Sequence, residues 1–579
     1  MKRTLPYVLL GLALFFISCS NDSKEIEQEE LGTLEVITIF EGGTTISEVT
    51  VSTIPETEIK ITDNLGKAVF NNIPVGSYQI VITPSFSNVS LTITAEVKMN
   101  QVETVEVIVG PDPISETPIE FDFLLANIYN ELKKEFLFDA NGYSHYWGDI
   151  GMGIARINPD SMGRFGNLDN YIFSPGDFVI EQVWSEHYKV IRLTNIGLDE
   201  LKNLDAAPED IDPLHFESEF RFLRALLYFN LIKLYGNPIL VTTAKIDFDN
   251  PPATVQGRIP IYELIIDDLK FAQQNLPSGL TDKSKASVEA VTALLGKVYL
   301  TMAGFPLEQS DKYAFALQEF DKIMGSFTLE EEYANVFAVG NEDSNTEIIF
   351  NIDFDNSGNY SVPWGPKGIS FNDRLLLMPD FVNSFFGDGS EPSEPVTFPL
   401  NTDDSRFYQN IATFSYQNEE IMDETSIEDW RPYKFVKEVI EPSMANQESF
   451  DYPYLRMADV YLMIAEAENE ANGGPTEKAY NALNQVRRRA FGDLDHDIQL
   501  GLSQEEFSNA IIGERRLEFC FEGQLKDDLI RMQALETEIL NFNQQYPELA
   551  RDFQNHEYIW PIPYAEINFN PGAVQNEGY

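Results

Sequence analysis

Two periods of hydrophobic and polar residues divide the chain. From Thr33 to about Val109 the runs LEVITIF, VTVSTI, TEIKIT, SYQIVIT, SLTITAEV and VETVEVIV alternate and are rich in Val, Ile and Thr, the pattern of short half-buried strands. They predict a small all-β sandwich over 33–110. Thr62 to Lys67 and Ile73 to Tyr78 carry Asp, Asn, Pro and Gly where turns between strands belong. After the proline-bearing boundary from Gly110 to Pro118, apolar residues recur at three to four, the spacing of a helix face. Helices are expected over Phe121 to Phe136, Phe178 to Asn203, His215 to Tyr235, Ile261 to Asn275, Ser287 to Ala303, Tyr313 to Met324, Tyr454 to Asn472 and Ala479 to Phe491. His215 to Tyr235 is apolar around most of its circumference and must be largely buried. Gly236-Asn237-Pro238 supplies its stop. Helix pairs with short turns but no strict repeat length point to a tetratricopeptide-like scaffold with long loops. The fold class is therefore mainly α, with the sandwich in front.

The stretch Glu505 to Met532 is the most informative. Ala510, Ile511, Leu517, Cys520, Phe521, Leu525 and Leu529 form an apolar face, and Gly523 divides a long helix from a short one beginning at Leu525. Glu514, Arg515, Arg516, Glu518 and Glu522 crowd the same turns, at spacings that let an Arg meet a Glu along the helix. Most such clusters serve structure, since buried charges persist only when paired.

These residues carry a resemblance. Glu514-Arg515-Arg516-x-Glu518, then Glu522-Gly523, then Asp528, Leu529 and Arg531 resemble the signature of the SusD/RagB family, outer-membrane nutrient-binding lipoproteins of tetratricopeptide-like helices. SEFRFLRALLYFNLIKLYGNPILVT, LRMADVYLMIAEAENEA, ALNQVRRRA and the closing Trp560 to Pro563 are similar to further blocks of that family, in order. Gln524 and Leu525 stand where the family more often has His and Arg, and Glu577 where it has Pro. The resemblance assigns 119–579 to a glycan-binding domain. Within the sandwich, Thr62-Asp63-x-x-Gly66 and Pro74-x-Gly76-x-Tyr78 resemble carboxypeptidase-regulatory-like domains, which implies an immunoglobulin-like topology. That segment has no His, Cys or Trp, so a spacer or docking role is expected of it.

Length and charge narrow the function. A chain of 579 residues suggests about two to four modules. Its formal charge is 40 minus 93, or −53, a field that repels nucleic-acid phosphates and anionic membrane faces. No nucleic-acid partner is expected, and a neutral ligand fits better than an anionic one. Residues 1–18 combine Lys2 and Arg3 with an apolar run from Tyr7 to Ile17, too short to span a membrane. Phe16-Ile17-Ser18-Cys19 resembles a lipobox, which implies that 1–18 is a lipoprotein signal peptide and Cys19 the lipidated residue; an ordinary secretory signal with an incidental Cys is the alternative. The polar segment 19–32 reads as a tether. Cys520 is the one other cysteine, so no disulfide framework is available.

Enzyme motifs are missing. The five His show no metal-ligand spacing, and there is neither a G-x-S-x-G elbow nor a phosphate-binding loop. Asp493, Asp495 and Asp497 alternate like the opening of a calcium loop, but Ile498 occupies the place of its Gly. No catalytic residue, metal or cofactor is assigned. Aromatics in irregular segments point to binding, because flat rings stack on the apolar C–H faces of sugars while amides, carboxylates and Arg take the hydroxyls. Tyr143, Tyr146 and Trp147 with Arg164 form one such group, Tyr360 and Trp364 a second, and Trp430 a third. The resemblance implies an outer-membrane lipoprotein facing the cell exterior, which passes glycans to a SusC-like TonB-dependent transporter. A peptide ligand, a surface glycoside hydrolase or peptidase, and an adhesin acting through the sandwich are the rival expectations.

Overall fold

The computed structural model describes residues 31–579 apart from 40–44, 47–48, 56, 64, 84–90, 100, 109–119, 135–146, 159–165, 205–210, 246–250, 255–256, 339–343, 355–365, 368–374, 387–395, 399, 401, 418–419 and 436–450. The chain parts into two compact units between Pro118 and Ile119.

The first unit holds strands β1 (Leu31–Ile39), β2 (Thr50–Ile54), β3 (Lys60–Ile61), β4 (Lys67–Pro74), β5 (Gly76–Thr83), β6 (Leu91–Val97) and β7 (Val102–Ile108). They form two sheets, ordered β4-β1-β7 and β3-β2-β5-β6. β1 runs antiparallel to β4 and parallel to β7. Alternate residues of both sheets point inward, and Leu34, Val36, Val51, Phe70, Ile80 and Ile82 make one core. β4 was not among the expected strands, because two turn motifs flank it closely. Both turns are present. Asp63 Oδ1 accepts from the Leu65 and Lys67 amides, with Gly66 at φ +69°, and the Tyr78 hydroxyl donates to the Pro74 carbonyl at 2.9 Å.

The second unit is mainly helical: α1 (Phe121–Lys134), α2 (Phe178–Asn203), α3 (Pro213–Tyr235), α4 (Ile259–Asn275), α5 (Val288–Ala303), α6 (Lys312–Ile323), α7 (Met457–Asn472), α8 (Glu477–Phe491), α9 (Gln504–Glu518), α10 (Leu525–Arg531) and α11 (Leu535–Gln545), with shorter helical turns between them. Caps explain many of the starts. Asp177, Asp212, Ser287 and Thr476 each accept backbone N–H groups of the turn they open. α3 packs against α2 and α4 and is buried nearly all round. The helix expected from Tyr454 begins later, at Met457. Tyr452–Arg456 is instead strand β9, antiparallel to β8 (Ile348–Ile352), because a sheet partner distant in sequence overrides local periodicity.

α9 and α10 lie at the centre of a buried ion lattice, and its partners differ from the expected ones. Glu518 does not pair with the arginines of its own helix. It accepts from Arg456 and Arg489, each at 2.5 Å, and from Arg406 at 3.2 Å. Arg456 also reaches Glu522 and Glu347, while Lys434 donates to Glu522 at 2.6 Å. Arg515 pairs with Asp459 and Asp528. Burial alone would raise the Glu518 carboxyl, but Arg489, Arg456 and Arg406 outweigh it and hold the group well below the carboxylate range.

Candidate ligand-binding site

Described residues flanking three chain segments meet at one place in the helical unit. α1 ends at Lys134, just before 135–146, and Lys133 Nζ lies 3.4 Å from Asp353, which follows β8 and leads into 355–365. Ile352 pairs with Tyr452 at the head of β9, where the chain returns from 436–450. Asp451 closes the group by accepting from the Phe354 amide at 2.9 Å and from Asn351 Nδ2 at 2.6 Å. These residues, far apart in sequence, therefore share a common root.

A cleft of about 440 Å³, part of it open to solvent, sits at this root. Tyr129, Lys133, Ser284, Lys285, Asn351 and Asp353 supply its polar wall. Asn351 is 2% exposed, and its Oδ1 has no hydrogen-bond partner among the described residues. A buried acceptor left in this way favours a ligand hydroxyl or a water. The Lys285 ammonium lies 4.2 Å from the centroid of the Tyr129 ring, and the Tyr129 hydroxyl donates to Glu219 while accepting from the Ala286 amide. Burial pushes both the Tyr129 hydroxyl and the Glu219 carboxyl up from their ordinary values, and Glu219 raises Tyr129 further. Apolar ring, cations and unmatched acceptor together suit a polyhydroxylated molecule.

Tyr143, Tyr146, Arg164, Tyr360 and Trp364 lie outside the described residues, as does Cys19. Trp147 and Trp430 are described, and both expectations need correction. Trp147 is 3% exposed. Its Nε1 donates to Asp527 at 2.8 Å, its ring meets Trp560 edge-on at 5.1 Å, and the Lys526 ammonium lies 3.7 Å from the ring centroid. Gly148 explains the placement. A Cβ there would come within 2.0 Å of the Gly523 carbonyl oxygen, and the Gly523 amide donates to Asp149. The loop's end is thus pressed onto the turn between α9 and α10. Trp430 is fully buried, with Nε1 donating to the Glu424 carbonyl and its ring against Phe407. Trp430 has no face to offer a sugar, and Trp147, though it edges a small cleft, is held as part of the core. Trp184 and Trp560 are buried as well.

Sequence reasoning missed Asn351, Lys133, Asp353 and Asp451. The available signal was Asn351 itself, an amide inside the otherwise apolar strand IIFNI. Asp493 caps its own loop by accepting from the Asp495 and His496 amides. Among the described residues no group of three or more His, Cys, Asp or Glu could hold a metal ion. No described helix is long and apolar enough to cross a membrane.

Comparison with known proteins identifies the scaffold. A family model described as SusD family matches residues 334–579, and one described as "Starch-binding associating with outer membrane" matches 114–300. Over residues 114–300 and 334–579 the chain is thus similar to the SusD family. SusD-like protein P25 of Formosa agariphila is 24% identical over 523 residues, covering 82% of this chain and 94% of that protein. The starch-binding protein SusD of Bacteroides thetaiotaomicron is 24% identical over 472 residues, covering 71% and 81%. Among solved structures, a SusD homolog from B. thetaiotaomicron superposes with a TM-score of 0.66 at 22% identity, covering 79% of this chain and 97% of that one. A laminarin-binding SusD-like protein gives 0.62 at 23%, covering 79% and 99%. At this identity the structural likeness establishes a common SusD fold, in agreement with the helix-pair scaffold expected from periodicity.

Proposed function

We propose that this chain captures oligo- or polysaccharide at the cell surface and delivers it, chemically unchanged, to a SusC-like TonB-dependent outer-membrane transporter. Lipid on Cys19 anchors it to the outer membrane, and the sandwich, read as a carboxypeptidase-regulatory-like domain, acts as a spacer. The carrying observation is that Lys133, Asp353 and Asp451, which flank residues 135–146, 355–365 and 436–450 in sequence, meet at the Asn351 cleft. It lets Tyr143, Tyr146, Tyr360 and Trp364, which sequence places on the first two segments, serve one ligand. The family description and the starch- and laminarin-binding relatives support a glycan. A net charge of −53 favours a neutral one.

The test is a neutral-glycan array on the protein lacking residues 1–19, followed by calorimetry on any hit. Tyr360→Ala and Trp364→Ala should each weaken binding up to about tenfold, the order of a lost ring contact of about 1.4 kcal/mol. New reducing ends above a heat-killed control, or peptide binding without glycan binding, would overturn the reading.

A further inference from the structure

A second cleft, away from the Asn351 cleft, differs in electrical character from the rest of the chain. It opens between α3, α4, α5 and α10 and encloses about 580 Å³, part of it continuous with solvent. Lys233, Arg258, Lys297 and Arg531 line it against Asp527 and Asp528, with Asp459 and Glu466 behind Lys297 and Arg531, so cations and carboxylates balance there in a chain of −53. Some of these groups are committed. Lys233 donates to Asp527 at 2.6 Å, Lys297 to Asp459 and to Gln524 Oε1, and Arg531 to Glu466. Arg258 makes no ion pair among the described residues, and its guanidinium lies 5.8 Å from the Tyr558 ring. The cleft continues into a smaller one that shares Lys233, Lys297, Gln524 and Asp527 and is also lined by Asn230.

Asn230 provides the independent observation. It is 2% exposed, its Oδ1 accepts from the Tyr454 hydroxyl at 2.9 Å, and its Nδ2 is buried without a hydrogen-bond partner among the described residues. An orphaned donor beside two ammonium groups, with an unpaired guanidinium further along the same space, asks for an acceptor. Burial holds the Lys297 ammonium below its ordinary value, with Asp459 working the other way, so an anion added beside Asp459 and Gln524 would favour its charged form. Tyr262, Phe305 and Tyr558 give the wall an apolar body beside its cationic end.

We propose that this cleft is a binding site for a small organic carboxylate, with the anionic end toward Lys233, Lys297 and Asn230 and its apolar body against the Tyr262 and Tyr558 rings. Such a site is distinct from the glycan cleft and does not depend on it.

The test is calorimetric titration of the full chain at low, fixed chloride with benzoate, its neutral isostere benzamide and inorganic phosphate. Benzoate should bind saturably and benzamide at least tenfold more weakly. Phosphate, lacking the apolar body, should also bind more weakly than benzoate. Arg258→Gln removes a cation that makes no ion pair among the described residues and lies toward the Tyr558 end of the cleft, and should weaken benzoate by about twofold through loss of its longer-range attraction. Asn230→Asp, close to isosteric, should weaken it further by repulsion. Absence of saturable benzoate heat, equal binding of benzamide, or an unchanged Arg258→Gln isotherm would each overturn the proposal. Phosphate binding as tightly as benzoate would overturn the assignment to a carboxylate with an apolar body.

Discussion

At the scale of single residues, Trp147 marks where sequence reading stops. Its neighbours are polar and include Gly148, the usual signature of an exposed loop, yet that glycine is present because the backbone of Gly523 lies against it. Nothing local distinguishes a glycine that frees a loop from one that admits another chain segment. Trp147→Ala should therefore act as a core truncation and lower unfolding free energy by about 3–5 kcal/mol, read as a shift in the urea midpoint. Lys526 has a consequence of its own. Burial pushes its ammonium down to about 7 from 10.5, with Asp527 and Glu557 opposing. Between those values the unfolded chain holds a proton that the folded chain has released, so stability rises with pH across the window and the full penalty applies below about 7. The slope is at most about 1.4 kcal/mol per pH unit. The rings of Trp147, Tyr171 and Phe173, within 5.0 Å of the ammonium, favour the charged form and reduce it. Lys526→Met should flatten the dependence of the urea midpoint on pH between about 7 and 9. Parallel curves for the two proteins would show that Lys526 stays charged throughout.

At the scale of elements, helix starts were readable because their causes lie within a few residues. Ser503 and Glu506 form a reciprocal capping box at the head of α9, and Asp212 with Pro213 opens α3. The ion lattice was not readable beyond the suspicion that the Glu-Arg-Arg-x-Glu cluster is structural. Arg456 meets Glu518 from 62 residues away and Arg406 meets Glu514 from 108 away, and composition cannot pair a helix with a strand at that distance. Two substitutions compare local with distant support. Ser503→Ala removes half of the box and should cost about 1 kcal/mol. Arg456→Met leaves Glu347, Glu518 and Glu522 each short of a buried cation and should cost about 3–5 kcal/mol. Both are read by chemical denaturation. A smaller loss for Arg456→Met than for Ser503→Ala would mean that the end of α9, rather than the lattice, holds this part of the fold.

At the scale of the molecule, the two periods of the sequence anticipated an all-β segment and a helical one, since each period reports which face of a strand or helix is buried. The shared root of the residues flanking the three segments was invisible, because it depends on β8 pairing with β9 across 100 residues of chain, the separation of Asn351 from Asp451. Charge remains the most direct guide to ligand choice. With 93 acidic and 40 basic residues, carboxylates far outnumber the cations that could match them, and their field extends about 10 Å at 0.1 M salt and about 30 Å at 0.01 M. A polyanionic chain approaching the Asn351 cleft must cross that field, whereas an uncharged glucan does not feel it. Affinity for a neutral glycan should therefore change less than about twofold between 0.02 and 0.5 M NaCl, and a sulfated glycan of equal length should bind, if at all, only at the high-salt end. Titrations of the same protein preparation at several salt concentrations check both expectations. Tighter binding of the sulfated chain at low salt would place a locally basic surface at the ligand site, stronger than Lys133 and Lys285 provide, and would reverse the assignment of a neutral ligand.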